Sequence, residues 1–117
     1  MIGHANITIL GTIVADAEIT AIGDKSLMKL RVAVNERAKD GETKASFFNV
    51  ESWRDKLNES LGKIPMKGKN VLITGNVYED RWEKDGSKFK DYPIRLDKII
   101  FTDKKSDSDS SNENPGF

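Results

Sequence analysis

Not one cysteine occurs in the 117 residues, which excludes disulfides and thiolate metal sites. Histidine is almost missing too. His4 stands alone near the N-terminus, a place where neither catalysis nor metal binding is expected of it. Uninterrupted apolar stretches never exceed a few residues, so neither a signal peptide nor a membrane span is expected. A cytoplasmic, nucleoid-associated setting follows as the default, or the host cytoplasm for a phage-encoded chain. The acids Asp16, Glu18, Glu36 and Glu51 show no metal-ligand spacing. Nucleophile motifs, phosphate-cradling glycine loops and triad signatures are absent as well, so no enzyme, cofactor or metal site is expected.

Net charge is also lacking, with 19 basic and 19 acidic residues. At face value that counts against a polyanion binder. The balance is uneven, however. From Asp103 onward there are four acids and two bases, which leaves residues 1–102 with 17 bases and 15 acids, a net of +2. Residues 103–117 hold no apolar residue before Pro115 and Phe117 and cannot offset their ordering entropy. They are expected to form a disordered, mildly acidic tail behind one domain, residues 1–102.

What the domain does contain is period-2 alternation. Ile7, Ile9, Gly11 and Ile13 mark a first strand, and Met28, Leu30, Val32 and Val34 the inner face of a second. Asp40–Gly41 turns the second into a third, Ala45–Trp53. Leu57, Leu61 and Ile64 have helical spacing, and Pro65 ends that patch. A fourth strand is expected over Val71–Trp82, the Asp85–Gly86 turn after it, and a fifth over Lys88–Phe101 with Tyr92, Ile94 and Leu96 on one face. Pro93 marks an edge or bulge there. Five strands with one short helix between the third and fourth describe an all-β, Greek-key OB-fold barrel.

Four aromatics fall opposite the expected core. Phe47 and Trp53 are an even number of residues apart, on the side not taken by Phe48 and Val50, and Tyr78 and Trp82 share a face opposite Val71, Ile73 and Val77. Each large ring left wet forgoes roughly 1.5–3 kcal/mol of burial, so a partner or ligand is expected to cover them. Unpaired nucleobases fit that surface because stacking needs only a flat π face. Arg31 lies on the neighbouring strand, Arg37 and Lys44 flank the first hairpin, and Lys84 and Lys88 flank the second with Phe89 beside them. These are the candidate phosphate contacts, and Phe47, Trp53, Tyr78, Trp82 and Phe89 the candidate stacking groups. A rival of another class is an OB-fold protein-interaction module, its aromatic face buried in an interface and DNA a minor ligand; the family resemblance given below would place such a module in a replication assembly.

Several stretches resemble the bacterial and phage single-stranded DNA-binding proteins of replication. Asn6–Gly11 with Asp16–Ile19 is similar to their first strand and turn, and Pro65–Val77 to their lysine–glycine turn and fourth strand. Trp82, Phe47 and Trp53 match stacking aromatics of that family. The resemblance implies binding without sequence preference, protection of single strands in replication, recombination and repair, and a homo-oligomer, dimer or tetramer, with Phe48 near subunit contacts. It also implies a C-terminal tip that docks replication and repair proteins, here Pro115, Gly116 and Phe117, with Gly116 interrupting the usual Pro-Phe end. Arg37–Ala38 stands where the family has another stacking tryptophan, and Glu79–Asp80 where it is usually basic. Both departures imply weaker binding or a shorter site.

Overall fold

The computed structural model describes residues 1–103. The chain runs β1 (Asn6–Ile13), β2 (Glu18–Ile22), β3 (Lys25–Arg37), β4 (Thr43–Ser52), α1 (Asp55–Gly62), β5 (Asn70–Val77), β6 (Asp80–Lys84), β7 (Ser87–Asp91) and β8 (Ile94–Phe101). Five of these strands close a barrel. β1 pairs antiparallel with β5, β5 with β8, β8 runs parallel to β4, β4 pairs with β3, and β3 returns to the end of β1. No helix among the described residues is long and apolar enough to cross a membrane.

Closure depends on one glycine. β1 follows β5 as far as Thr12, while Thr12 and Ile13 also pair with Ala33 and Val32 of β3. At this corner a Cβ on Gly11 would lie 2.4 Å from the Ala33 carbonyl oxygen, so only glycine lets the two backbones approach. Inward side chains of all five strands meet in one core, among them Ile9, Met28, Val32, Val50, Ile73 and Ile94. Leu61 of α1 and Met66 belong to the same cluster. Two carboxylates fasten the connecting segments. Asp16 accepts the Met66 and Lys67 N–H groups (2.8 and 3.0 Å), and Asp55 accepts the N–H and hydroxyl of Ser26 (2.9 and 2.8 Å). These bonds hold both carboxyls below the ordinary carboxylate range. Each fastening is therefore present at neutral pH and is lost as pH falls through the lowered value.

The elements differ from sequence expectation in five places. β2 is an additional strand, hairpinned onto β3 through Gly23 at φ 64°. Alternation does not reveal it, because every residue of β2 is exposed. The expected fourth strand breaks at Tyr78–Glu79 and the expected fifth at Tyr92–Pro93, which frees β6 and β7 as a separate two-stranded arm. Pro93 has no N–H to give a ladder, and its carbonyl instead accepts the Tyr78 N–H at 3.3 Å. Tyr92 consequently stands exposed instead of facing the core with Ile94 and Leu96. Ile64 lies outside α1 and is exposed, while the buried neighbour of Leu61 on the helix is Asn58. Finally, Asp103 belongs to the body: its carboxylate accepts the backbone and side-chain N–H groups of Asn70, both at 2.7 Å.

A bulge decides the outer surface. The register of β5 against β8 slips between Thr74 and Gly75, leaving Asp97 without a partner. Parity flips there, so Ile99 packs against the core beside Ile94 and Leu96 while Ile100 is turned outward. The result is a row across three strands, Leu10 opposite Leu72 and Leu72 opposite Ile100, in which Leu10 and Ile100 are exposed.

Candidate nucleic-acid interface

On the β3–β4 wall, register places Ala33 beside Phe47, Arg31 beside Asn49, and Lys29 beside Glu51. The intervening pairs, Leu30 with Val50 and Val32 with Phe48, face the core, so these three point outward. Phe47 is 51% exposed, and Trp53, just past the end of β4, is 41% exposed. The Arg31 guanidinium lies 4.8 Å from the Phe47 ring centroid and donates to Asn49 Oδ1 at 3.4 Å. Cation and ring are thus presented together, one suited to phosphate and the other to a base.

Tyr78 does not share a face with Trp82, because the strand ends between them. Its half-buried hydroxyl donates to Glu51, and the Arg95 guanidinium covers its ring at 4.3 Å from the centroid. Burial, followed by the Glu51 carboxylate, pushes its phenol up to about 12, so the hydroxyl stays a donor throughout the neutral range. The ring is a strut between β4 and β8 rather than an open platform. Arg95 had no signal in the sequence beyond its outward parity, since its partner ring is 17 residues away.

The arm carries the other aromatics. Trp82 and Phe89 are direct cross-strand partners, stacked with centroids 5.7 Å apart and planes 19° from parallel. They are 46% and 45% exposed. Asp85 and Gly86 make the turn, both at positive φ, which suits the tight two-residue loop that this register requires. Alternation sorts the rest. Asp80/Asp91 and Lys84/Ser87 flank the aromatic pair on its own face, whereas Arg81/Lys90 and Glu83/Lys88 occupy the opposite face. Lys84 therefore lies with the rings and Lys88 behind them.

Between arm and wall runs a groove of about 380 Å³, lined by Lys29 and Arg31 but also by Glu51, Asp80 and Asp91. At the far end of the β3–β4 hairpin, Arg37 and Lys44 are exposed, with Lys44 directly opposite Glu36. The structure thus gathers Arg31 with Phe47 and Trp82 with Phe89, and leaves Arg37 and Lys44 apart from both. Alternation along the chain does not reveal this acidic lining, since Asp80 and Asp91 are brought together only by the arm's pairing. Pro115, Gly116 and Phe117 lie outside the described residues.

Residues 4–102 match the Single-strand binding protein family. The chain belongs to that family. It is 36% identical over 86 residues to single-stranded DNA-binding protein 2 of Streptococcus agalactiae serotype V, covering 71% of this chain and 65% of that one. It is 30% identical over 86 residues to the single-stranded DNA-binding protein of Treponema pallidum, covering 69% and 48%. The match thus spans about half to two thirds of the length of these curated relatives. The solved structure of a Plasmodium falciparum SSB in complex with ssDNA superposes with a TM-score of 0.79 at 17% identity, over 88% of this chain and 98% of that one, and shares its fold. The family is one of binding proteins rather than enzymes.

Proposed function

We propose that this family member binds single-stranded DNA without sequence preference and protects exposed strands during replication, recombination and repair. Bases stack on the Trp82–Phe89 pair and on Phe47 and Trp53, while Arg31, Arg37, Lys44, Lys84 and Lys88 neutralise phosphates. The observation that carries this reading is the arm. Two stacked rings, each nearly half wet, stand on a hairpin that packs against no other strand or helix to any comparable extent. Isolated two-stranded hairpins are marginal in water, so such a display is favoured only if a flat ligand covers it. The relatives' names and the ssDNA-bound neighbour support the same ligand.

The decisive experiment is a salt-resolved titration with single-stranded DNA, duplex DNA and RNA of equal length. Single-stranded DNA is expected to quench tryptophan emission from Trp53 and Trp82, with affinity falling steeply as salt rises. Unchanged emission at low salt and micromolar protein would remove the proposal. The acidic lining of the groove by Glu51, Asp80 and Asp91 favours the rival reading, a protein-interaction module. Trp53→Ala with Trp82→Ala separates the two: lost DNA binding with intact assembly supports the binder, and dissociation supports the module.

Self-association is part of the same proposal, and the row Leu10–Leu72–Ile100 is the surface we assign to it. Covering a Leu or Ile side chain fully is worth about 1.5–3 kcal/mol, and a two-fold contact counts each residue twice. Sedimentation is expected to show a dimer or tetramer for the natural chain and a monomer for Leu10→Glu. An unchanged sedimentation coefficient in the variant would place the interface elsewhere.

A further inference from the structure

Glu51 and Arg95 face one another on the parallel neighbours β4 and β8, in direct register. Adjacent strands lie about 4.8 Å apart, and opposite charges so placed ordinarily pair. Here they do not: among the described residues Arg95 makes no ion pair. Tyr78 stands between them. Its hydroxyl donates to the Glu51 carboxylate, and its ring carries the Arg95 guanidinium, 4.3 Å from the centroid. One side chain thus occupies the anion with its polar end and holds the cation on its ring face. A guanidinium resting on a ring keeps its N–H fork at its edges, where a phosphate can meet it bidentately. From this arrangement we infer that Arg95 is a further phosphate contact of the bound single strand, and that Tyr78 is the positioning residue that keeps it free of Glu51. The inference rests on the single-strand-binding reading above.

Two further observations support it. Arg31 over Phe47 is a second instance of the same unit, an exposed arginine of a barrel strand resting on an aromatic ring. The other is position. Outward places on β4 run from Phe47 through Asn49 to Glu51, roughly 13 Å at about 3.3 Å per residue. Arg95 sits one strand beyond Glu51, and Tyr78 lies two residues before β6 begins. A single strand leading from Phe47 toward the arm therefore passes Glu51, where the groove also carries Asp80 and Asp91. Those three carboxylates repel phosphate. An Arg95 neutralised by Glu51 would contribute nothing on that passage, whereas an Arg95 held on Tyr78 offers its full charge there.

A salt series of oligo-dT affinity, followed by tryptophan quenching, tests this with three substitutions. Arg95→Gln is expected to weaken binding about fivefold at low salt, the upper end of what an exposed ion pair contributes. Its log K against log salt slope should flatten by about 0.7, the value for one phosphate contact on a single strand. Quenching at saturation should be unchanged, because the stacking rings are untouched. Tyr78→Phe keeps the ring but releases Glu51, and the same flattening is expected as the carboxylate captures Arg95. Adding Glu51→Gln to Tyr78→Phe should restore the slope of the natural chain, whereas adding it to Arg95→Gln should not. A tyrosine that merely stiffens the barrel would give no such selective rescue. The inference is overturned if Arg95→Gln keeps the natural slope, or if Tyr78→Phe does. Rescue of both variants by Glu51→Gln overturns it as well, since a general gain in positive charge would then account for the effect. Absence of quenching by oligo-dT in the natural chain would instead sink the single-strand reading beneath it.

Discussion

Replacing Trp82 and Phe89 together with alanine is expected to weaken oligo-dT binding by about 30- to 1,000-fold. Stacking in single-strand binders is worth about 1–3 kcal/mol per base by alanine substitution, and the pair forms one continuous platform worth about 2–4 kcal/mol. Trp82→Ala alone should cost less, about tenfold, because Phe89 keeps half of that platform. Since β6 and β7 pack chiefly on each other, the urea midpoint of the double variant should match that of the natural chain. Trp53 remains as the fluorescent reporter. Affinity within twofold of the natural chain would show that the strand does not use the arm's aromatic face.

The largest effect on stability is expected at a polar residue. Asn58 is 1% exposed, and the two N–H groups of its side-chain amide are shared among the Ser26 carbonyl (3.2 Å), the Ser26 hydroxyl (3.0 Å) and the Ser52 carbonyl (3.0 Å). It ties α1 to β3 and β4 at once, and Asp55 holds the same Ser26 from the other side. Asn58→Ala strips these acceptors of a buried donor and leaves a void. A loss of about 2–4 kcal/mol should follow, read as a lower urea midpoint with an unchanged slope. The arm's share of DNA binding, through Trp82 and Phe89, should be unaffected, because β6 and β7 do not pack on α1. A midpoint shift corresponding to less than about 0.5 kcal/mol would mean that water replaces the amide without cost.

Asn58 also shows where sequence reading stops. Between Leu57 and Leu61 it looks like the polar side of a short amphipathic helix, and its three acceptors come from segments 6 and 32 residues away. Phe47, by contrast, stands outside the barrel where its spacing from Phe48 and Val50 puts it, while Trp53, one residue beyond β4, is exposed without a strand to fix its parity. Tyr78 illustrates the intermediate case. Its spacing from Trp82 predicts a shared face, but β5 ends at Val77, one residue before it, and β6 begins only at Asp80. The carboxylate of Glu51 and the guanidinium of Arg95 then claim the ring.

The amino-acid order alone determined which residues face in and which face out along each unbroken strand. The backbone pleat has a period of two and needs no distant partner to set it. It also determined the turns at Asp40–Gly41 and Asp85–Gly86, whose conformations are local. Only the tertiary structure decided where strands break, where the bulge at Asp97 reverses that parity, and which outward side chains meet. Those outcomes depend on backbone groups distant in the chain: the Ala33 carbonyl against Gly11, the Pro93 carbonyl that accepts the Tyr78 N–H just past β5, and the pairing that seats Trp82 on Phe89 and Arg81 against Lys90. Pairings of that kind are set by barrel closure, and closure leaves no periodic trace in a linear chain.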